Sequence, residues 1–172
     1  MIKIKSKWIK IVLLVLVVAA AAAAKPFYDG YSEYRKNAVP VLEYHSVGGS
    51  DEWPAEVIIK TEVFEKQLQY LHNNGYSMLS MEQMIDGFKN GKDMGKAVVL
   101  TFDDGYMDNY TNVFPLLKKY NANASFFIVQ SKIGKPNYMG HNEITELIRA
   151  GNDLASHTIN HNICLLYTSP SP

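Results

Sequence analysis

The stretch AVVLTFDDGY, residues 97–106, joins an unbroken apolar segment to two adjacent carboxylates. Residues 97–102 are too continuously apolar for a strand with one face in water, so we expect a central strand of a parallel sheet, buried on both faces. Active sites of α/β folds form where such strands end, which makes Asp103 and Asp104 candidate catalytic residues. An Asp-Asp-Gly sequence is also typical of a solvated turn, in which Gly105 provides backbone freedom. The apolar strand before it favours the catalytic interpretation.

Apolar segments and helical patterns alternate along the rest of the chain. We predict strands at 41–44, 76–79, 97–102, 124–129 and 153–156, and helices at 61–74, 81–89, 110–120 and 143–150. Ser80 and Gln83 form a capping-box start, Asn142 is the predicted cap of the last helix, and Gly75 and Gly151 stand where helices end. Strands interleaved with helices predict parallel βαβ units and an α/β fold, either barrel-like or doubly wound.

A second polar motif, His157-Thr158-Ile159-Asn160-His161, directly follows the last predicted strand. Because parallel strands end at the same edge of a sheet, we expect both imidazoles to lie near the two aspartates. The spacing alone is a weak signal, since metalloproteases with H-E-x-x-H carry a glutamate where this chain has Thr158. The general base must therefore come from elsewhere in the chain.

The two motifs together indicate more than either alone. One carboxylate and two neutral imidazoles make a three-ligand metal site with open positions for water and substrate, and the second carboxylate is then free to act as general base. Non-haem iron oxygenases use the same ligand types, but usually as H-x-D with a distant second histidine, an order that this chain lacks. The combination predicts a metal-dependent hydrolase.

At this point the residues resemble a known family. TFDDGY at 101–106 and SHTINH at 156–161 are similar to the first two motifs of the polysaccharide deacetylases, carbohydrate esterase family 4 with its NodB-homology domain. PVLEYHSV at 40–47 resembles the first strand of secreted bacterial members, including those acting on poly-N-acetylglucosamine. The resemblance covers residues 39–162 and implies a distorted (β/α) barrel, which we expect to be incomplete in a chain of this length.

The resemblance also implies roles for the residues of both motifs. Asp103 would be the catalytic base, and Asp104, His157 and His161 would bind a divalent metal ion, with zinc expected first and cobalt, nickel or iron as alternatives. The implied reaction is hydrolytic N-deacetylation of N-acetylglucosamine units in peptidoglycan, poly-N-acetylglucosamine or a chitin-like polymer. Two alternatives stay open: an O-deacetylase of a xylan-like polymer, and a catalytically silent carbohydrate-binding domain.

Other residues receive weaker expectations. His45 is either a structural residue of the first strand or part of a substrate groove, and His72 and His141 are assigned no role. The family's later Arg/Pro and Asp/Trp segments, and the late Leu-x-His that supplies the general acid, are absent. We therefore expect weak metal binding and little turnover. Residues 163–172, which contain the single cysteine, Cys164, resemble adapter read-through and are expected to be a non-native tail.

The N-terminus predicts export. Residues 1–25 hold five lysines and no acid, so the rest of the chain has 17 acidic but only 12 basic residues. This balance excludes nucleic-acid binding driven by bulk positive charge. The lysines precede an apolar run at 11–24, as in a signal peptide or an uncleaved anchor formed by residues 8–24. We expect an extracellular or cell-surface domain at 39–162 after a spacer at 26–38.

Overall fold

The computed structural model describes residues 6–49 and 54–161. The chain divides between Ala38 and Val39 into two compact units, each of which is described separately below. The tail predicted at 163–172 lies outside the described residues.

The first unit contains one long helix, α1 (Ser6–Asn37), which confirms the predicted N-terminal apolar helix. Its segment Ile11–Gly30, with a mean hydropathy of 2.2 and no buried residues, is long and apolar enough to cross a membrane, judged by length and composition alone. The segment predicted as a spacer at 26–38 is helical up to Asn37. Extending a formed helix costs far less than starting one, so the helix continues past Pro26 into a segment without clear periodicity.

The second unit has the predicted α/β fold with a parallel sheet. Its strands are β1 (Val41–Tyr44), β2 (Ser46–Val47), β3 (Ile58–Ile59), β4 (Ser77–Leu79), β5 (Ala97–Phe102), β6 (Ser125–Ile128) and β7 (Asp153–Ser156). Its helices are α2 (Thr61–Asn73), α3 (Met81–Lys89), α4 (Phe114–Lys119) and α5 (His141–Arg149). All five predicted strands and the capping box of α3 are confirmed.

Strand β5 lies at the centre of the five-stranded sheet, and all its neighbours are parallel to it. Strand β1 pairs along one side, whereas β4 and then β6 pair along the other. Strand β7 continues the sheet beyond β6, with Phe126 paired to Leu154 and Ile128 to Ser156. Because Phe102 is also paired with Phe126, the residues that follow β5 lie level with the end of β7. This register brings the two polar motifs to one place.

One core packs between the sheet and helices α2, α4 and α5. Its fully buried side chains include Phe64 and Leu68 of α2, Leu100 and Phe102 of β5, Leu117 of α4, Phe126 of β6 and Leu147 of α5. The rings of Tyr44, Phe102 and Phe126 stack across three adjacent strands, with centroids 5.3 and 5.2 Å apart. This aromatic stack fixes the relative positions of the three strands directly before Asp103, where the candidate site begins.

Two local predictions need correction, and two short strands were not predicted. Helix α5 begins at His141 after Gly140, so the cap predicted at Asn142 is wrong. The side chain of Glu143 accepts a hydrogen bond from the Gly140 N–H at 2.9 Å, which satisfies this end of the helix without a capping side chain at Asn142. The helix predicted from residue 110 starts with a π-helical turn at Asn109–Val113. Strands β2 and β3 have two residues each, too few to show an alternating hydrophobic pattern.

Candidate functional site

The two aspartates follow directly from the central strand. The Asp103 N–H donates to the Tyr44 carbonyl at 2.9 Å, and the backbone then turns through two left-handed residues, Asp104 at φ 71° and Gly105 at φ 78°. A β-carbon on Gly105 would lie 2.8 Å from Cδ1 of Ile128, a side-chain end that can shift, so the left-handed conformation is what favours glycine at this position. The turn separates the two carboxylates, and that of Asp104 is buried.

The two histidines are placed by a second turn at the end of β7. The His157 N–H donates to the Ile128 carbonyl at 2.9 Å, which continues the ladder between β6 and β7. Thr158 and His161 then take left-handed conformations, with φ angles of 66° and 57°. This turn brings the His157 and His161 rings to a centroid distance of 5.0 Å.

Asp104, His157 and His161 converge on one point. Oδ1 of Asp104 lies 3.3 Å from Nε2 of His161 and 3.6 Å from Nε2 of His157. That oxygen is buried and accepts no hydrogen bond from any residue that the structure describes, while the Tyr106 hydroxyl bonds the same carboxylate. Ligands about 2.0–2.2 Å from a Zn²⁺ ion lie roughly 3–4 Å apart, so the donor set and its buried orphan oxygen fit a divalent cation.

Asp103 lies beside this group and outside it. Its Oδ2 is 4.0 Å from Nε2 of His157, and its side chain is 15% exposed. Burial raises the pKa of the Asp103 carboxyl above its usual range, and the charges of Glu43 and Asp104 raise it further, while His157 and His45 act in the opposite direction. A carboxylate with a raised pKa is a stronger proton acceptor, which is what a general base requires.

Two residues beside Asp103 were missed or left open by the sequence analysis. The potential ligand atoms of Glu43, His45 and Asp103 all lie within 4.8 Å of one another. Glu43 and His45 are two positions apart, and residues at this spacing lie on the same face of a strand. The spacing could have indicated that both side chains face the end of β5. By contrast, His72 packs on Tyr120, with ring centroids 5.8 Å apart, and His141 is the first residue of α5.

The connection between β6 and α5, residues 129–140, is called the bracket here. At its start, the Gln130 N–H donates to the Thr158 carbonyl at 3.2 Å and the Ser131 N–H donates to the Ile159 carbonyl at 2.9 Å. These bonds hold the turn between the two histidines from outside the sheet.

The far end of the bracket holds the aspartate turn. The Met139 N–H donates to the Gly105 carbonyl at 3.0 Å, and the Met107 N–H donates to the Asn137 carbonyl at 2.8 Å. Met139 is buried, and the Tyr138 ring lies 5.3 Å from that of Tyr106. One connection therefore contacts both turns that form the candidate metal site.

A buried polar network fixes the segment that carries His45. The Asp108 carboxylate accepts hydrogen bonds from the Ser46 hydroxyl at 2.7 Å and the Val47 N–H at 3.0 Å. The Asn109 side chain donates to the His45 carbonyl at 2.8 Å and to Asp108 at 3.0 Å. Burial raises the pKa of Asp108 despite these bonds, which favour the charged form.

The second unit is similar in sequence to known proteins. Residues 90–171 match the family model described as polysaccharide deacetylase. A protein of Bacillus subtilis (strain 168) assigned to the polysaccharide deacetylases is 34% identical over 124 residues, which cover 72% of this chain and 43% of the relative. A poly-β-1,6-N-acetyl-D-glucosamine N-deacetylase of Staphylococcus epidermidis is 30% identical over 145 residues, covering 73% of this chain and 50% of the relative.

The fold has matching solved structures. A Streptococcus pyogenes deacetylase, solved in complex with acetate, superposes with a TM-score of 0.65 and 32% identity over 72% of this chain and 57% of that one. The chain spans about half the length of the two curated relatives described above, 43% and 50%. These similarities confirm the resemblance predicted from the two motifs.

Proposed function

We propose, on the premise that the chain carries part of a polysaccharide deacetylase domain, that it hydrolyses the N-acetyl groups of an N-acetylglucosamine-containing polysaccharide with a bound divalent metal ion. The observation that carries this proposal is the buried Oδ1 of Asp104, which has no hydrogen-bond donor among the described residues and faces two imidazole nitrogens at 3.3 and 3.6 Å. A buried acceptor without a hydrogen-bond donor lowers the stability of the folded protein unless a cation lies next to it.

The proposed roles follow from the positions of the side chains. Asp104, His157 and His161 hold the cation, which when bound polarises an acetamide carbonyl and lowers the pKa of a water molecule. Asp103, whose Oδ2 lies 4.0 Å from Nε2 of His157, accepts the proton of the attacking water. The Asp103 N–H donates to the Tyr44 carbonyl at 2.9 Å, and this last ladder bond of β5 fixes the backbone that carries the partly buried carboxylate.

The leaving amine needs a proton, and His45 is a candidate donor. Among the described histidines it is the one that lies beside Asp103 without belonging to the Asp104 group. Asn109 holds its carbonyl at 2.8 Å, so the residue is fixed on the Asp103 side of the site. We infer that His45, protonated, donates to the amine nitrogen as the C–N bond breaks, a role that the sequence analysis assigned to a late motif.

The substrate and location are part of the same proposal. The S. epidermidis relative is named for N-deacetylation of poly-β-1,6-N-acetyl-D-glucosamine, which favours an amide of a glucosamine polymer over an ester of a xylan-like polymer. The exposed apolar segment Ile11–Gly30 supports delivery to the cell surface, where such polymers lie, as a signal or as an anchor.

Acetate release tests the reaction and its class. The purified, Zn²⁺-loaded protein is expected to release acetate from an N-acetylglucosamine oligomer faster than from acetylated xylan. Asp103→Asn is expected to lower the rate by roughly 10²–10⁴-fold, the usual contribution of a general base. His72→Asn, at a histidine packed on Tyr120, is the matched control and should retain the rate. Equal rates for Asp103→Asn and the wild type would remove Asp103 as the base, and oligomer binding without acetate release would favour the silent carbohydrate-binding domain.

A further inference from the structure

A second group of potential metal ligands lies on the other side of the candidate base. Glu43 and His45 come from the end of β1 and the residue after it, and Asp103 comes from the end of β5. Their ligand atoms all lie within 4.8 Å of one another, and none of the three belongs to the Asp104 group. Glu43 and His45 also line a cleft of about 120 Å³ together with Glu56, so water molecules have room beside these two side chains.

The charges around this cleft favour a cation. The charged groups acting on Asp103 are His157, Glu43, His45 and Asp104, and none of the four is a lysine or an arginine. Three carboxylates, those of Glu43, Asp103 and Asp104, therefore lie close together, and among the described residues the potential cations acting on Asp103 are the imidazoles of His45 and His157. Such an arrangement either takes up protons or binds a cation between the carboxylates.

We propose that Glu43, His45 and Asp103 form a second divalent-cation site, and that its occupation inhibits the protein. One imidazole nitrogen and two carboxylate oxygens are ligands that Zn²⁺ and Co²⁺ accept, and water completes such a shell. The site is expected to be weaker than the Asp104 site because the Glu43 side chain is exposed, so binding must restrict a side chain that is free to move in water.

Inhibition follows from the residues that the second cation would engage, and this step rests on the function proposed above. A cation on Asp103 removes the lone pair that accepts the proton from water, and a cation on His45 displaces the proton that the leaving amine needs. Glu43 neither accepts nor donates a proton in the proposed reaction, although its charge helps to raise the pKa of Asp103. Activity should therefore rise as the first cation binds and fall as the second one binds.

Zinc titration of the untagged, full 172-residue chain decides whether the second site exists. By isothermal titration calorimetry near pH 7.5, the wild type is expected to bind two equivalents of Zn²⁺, one of them at least tenfold more weakly. Glu43→Gln, which keeps the shape of the side chain but removes its charge, should weaken the second equivalent by at least tenfold and change the first by less than about twofold. Asp104→Asn should instead lose the tighter equivalent. The matched control Glu62→Gln, at an exposed glutamate of α2, should bind like the wild type.

Two results would overturn the proposal: a single equivalent in the wild type, or two unchanged equivalents in Glu43→Gln. Acetate release from the N-acetylglucosamine oligomer tests the inhibitory role separately. Excess Zn²⁺ should lower the wild-type rate, and Glu43→Gln should keep its maximal rate at the same Zn²⁺ concentration. Equal inhibition of both proteins contradicts the inhibitory role. If neither protein releases acetate, the proposed function fails, while the binding stoichiometry still decides whether the second site exists.

Discussion

The two halves of the candidate metal site are built differently. Asp104 follows β5, whose six residues are all buried and which pairs with other strands on both sides. His157 and His161 follow β7, which among the described strands pairs only with β6 and exposes alternate side chains. The Asp104 side chain is 10% exposed and that of His161 is 58% exposed. The carboxylate half is therefore positioned mainly by the core, whereas the turn of the imidazole half is held by hydrogen bonds from the bracket, residues 129–140.

The largest expected difference between the halves concerns stability. Phe102→Ala removes the middle ring of the stack of Tyr44, Phe102 and Phe126, and we expect it to lower the free energy of unfolding by about 3–5 kcal/mol. Leu154→Ala, at a β7 side chain that is 45% exposed, should cost about 1 kcal/mol or less. Urea unfolding of the metal-free proteins measures both changes. Similar losses for the two variants would mean that the edge strand is as much a part of the core as β5.

Replacing Asp104 should lower metal affinity without lowering stability. Asparagine tolerates the left-handed φ of 71°, so Asp104→Asn should fold, and it removes a buried charge whose Oδ1 has no donor among the described residues. We expect Zn²⁺ affinity at the Asp104 site to fall on the order of 100-fold, the share of one ligand in a typical zinc site. The metal-free variant should be as stable as the wild type or more so. A loss of stability without loss of affinity would show that Asp104 serves the fold and not a cation.

The bracket offers a finer test of the imidazole half. Gln130 is exposed, begins a short helical turn and follows an extended residue, so proline is locally compatible there. Gln130→Pro removes only the N–H that donates to the Thr158 carbonyl, and Gln130→Ala keeps that bond. We expect Gln130→Pro to weaken Zn²⁺ binding by about tenfold, as supporting residues of metal sites do, while Gln130→Ala binds like the wild type.

Unfolding measurements are the control for this pair. The two Gln130 variants should differ by no more than about 1 kcal/mol in the metal-free state, because the bracket bond lies outside the core. Equal Zn²⁺ affinity of Gln130→Pro and Gln130→Ala would show that β7 alone sets the position of the histidines.

The same contrast explains how far the sequence could predict the site. The apolar run before Asp103 and the spacing of the two histidines reflect local chain geometry, and the edge at which parallel strands end follows from the fold class. These signals predicted that the two aspartates and the two histidines would lie close together, as the structure shows. The roles of Asp103, Asp104, His157 and His161 stay predictions until metal binding and acetate release are measured.

Interactions between distant segments gave no comparable signal. Glu43 and His45 lie about 60 positions before Asp103, and only the pairing of β1 with β5, which places Tyr44 opposite Phe102, brings them together. The bracket acts through backbone N–H groups, which any sequence except proline supplies, so no residue pattern marks it. The predicted start of α5 was wrong for a related reason. Gly140 has no side chain that could cap the helix, and the Glu143 carboxylate accepts a hydrogen bond from the Gly140 N–H instead.

The smallest expected effect is a pH dependence of stability in the carboxylate half. Asp108 lies in the turn after β5, and burial raises its pKa above the usual value of 3.8, although hydrogen bonds from Val47, Ser46 and Asn109 oppose the shift. The folded protein therefore binds this proton more tightly than the unfolded chain does. Its contribution to stability is fully present below the unfolded pKa and is lost as the pH rises through the raised folded pKa.

Asp108→Asn isolates this contribution, because other carboxyls titrate alike in both proteins. Urea unfolding at a series of pH values from about 3.5 upward should show the free energy of unfolding of the wild type falling relative to that of Asp108→Asn, and then running parallel to it once Asp108 is ionised. The lost hydrogen-bond acceptor changes the free energy of unfolding of the variant by the same amount at every pH. The test is therefore the slope, against pH, of the difference in free energy of unfolding between the two proteins. Thr145→Ala, on α5 before the imidazole half, should change no slope, since its hydroxyl bonds only the His141 carbonyl. A difference that rises with pH would mean that the hydrogen bonds to Asp108 outweigh its burial, and that this half of the site is stabilised by the ionised carboxylate.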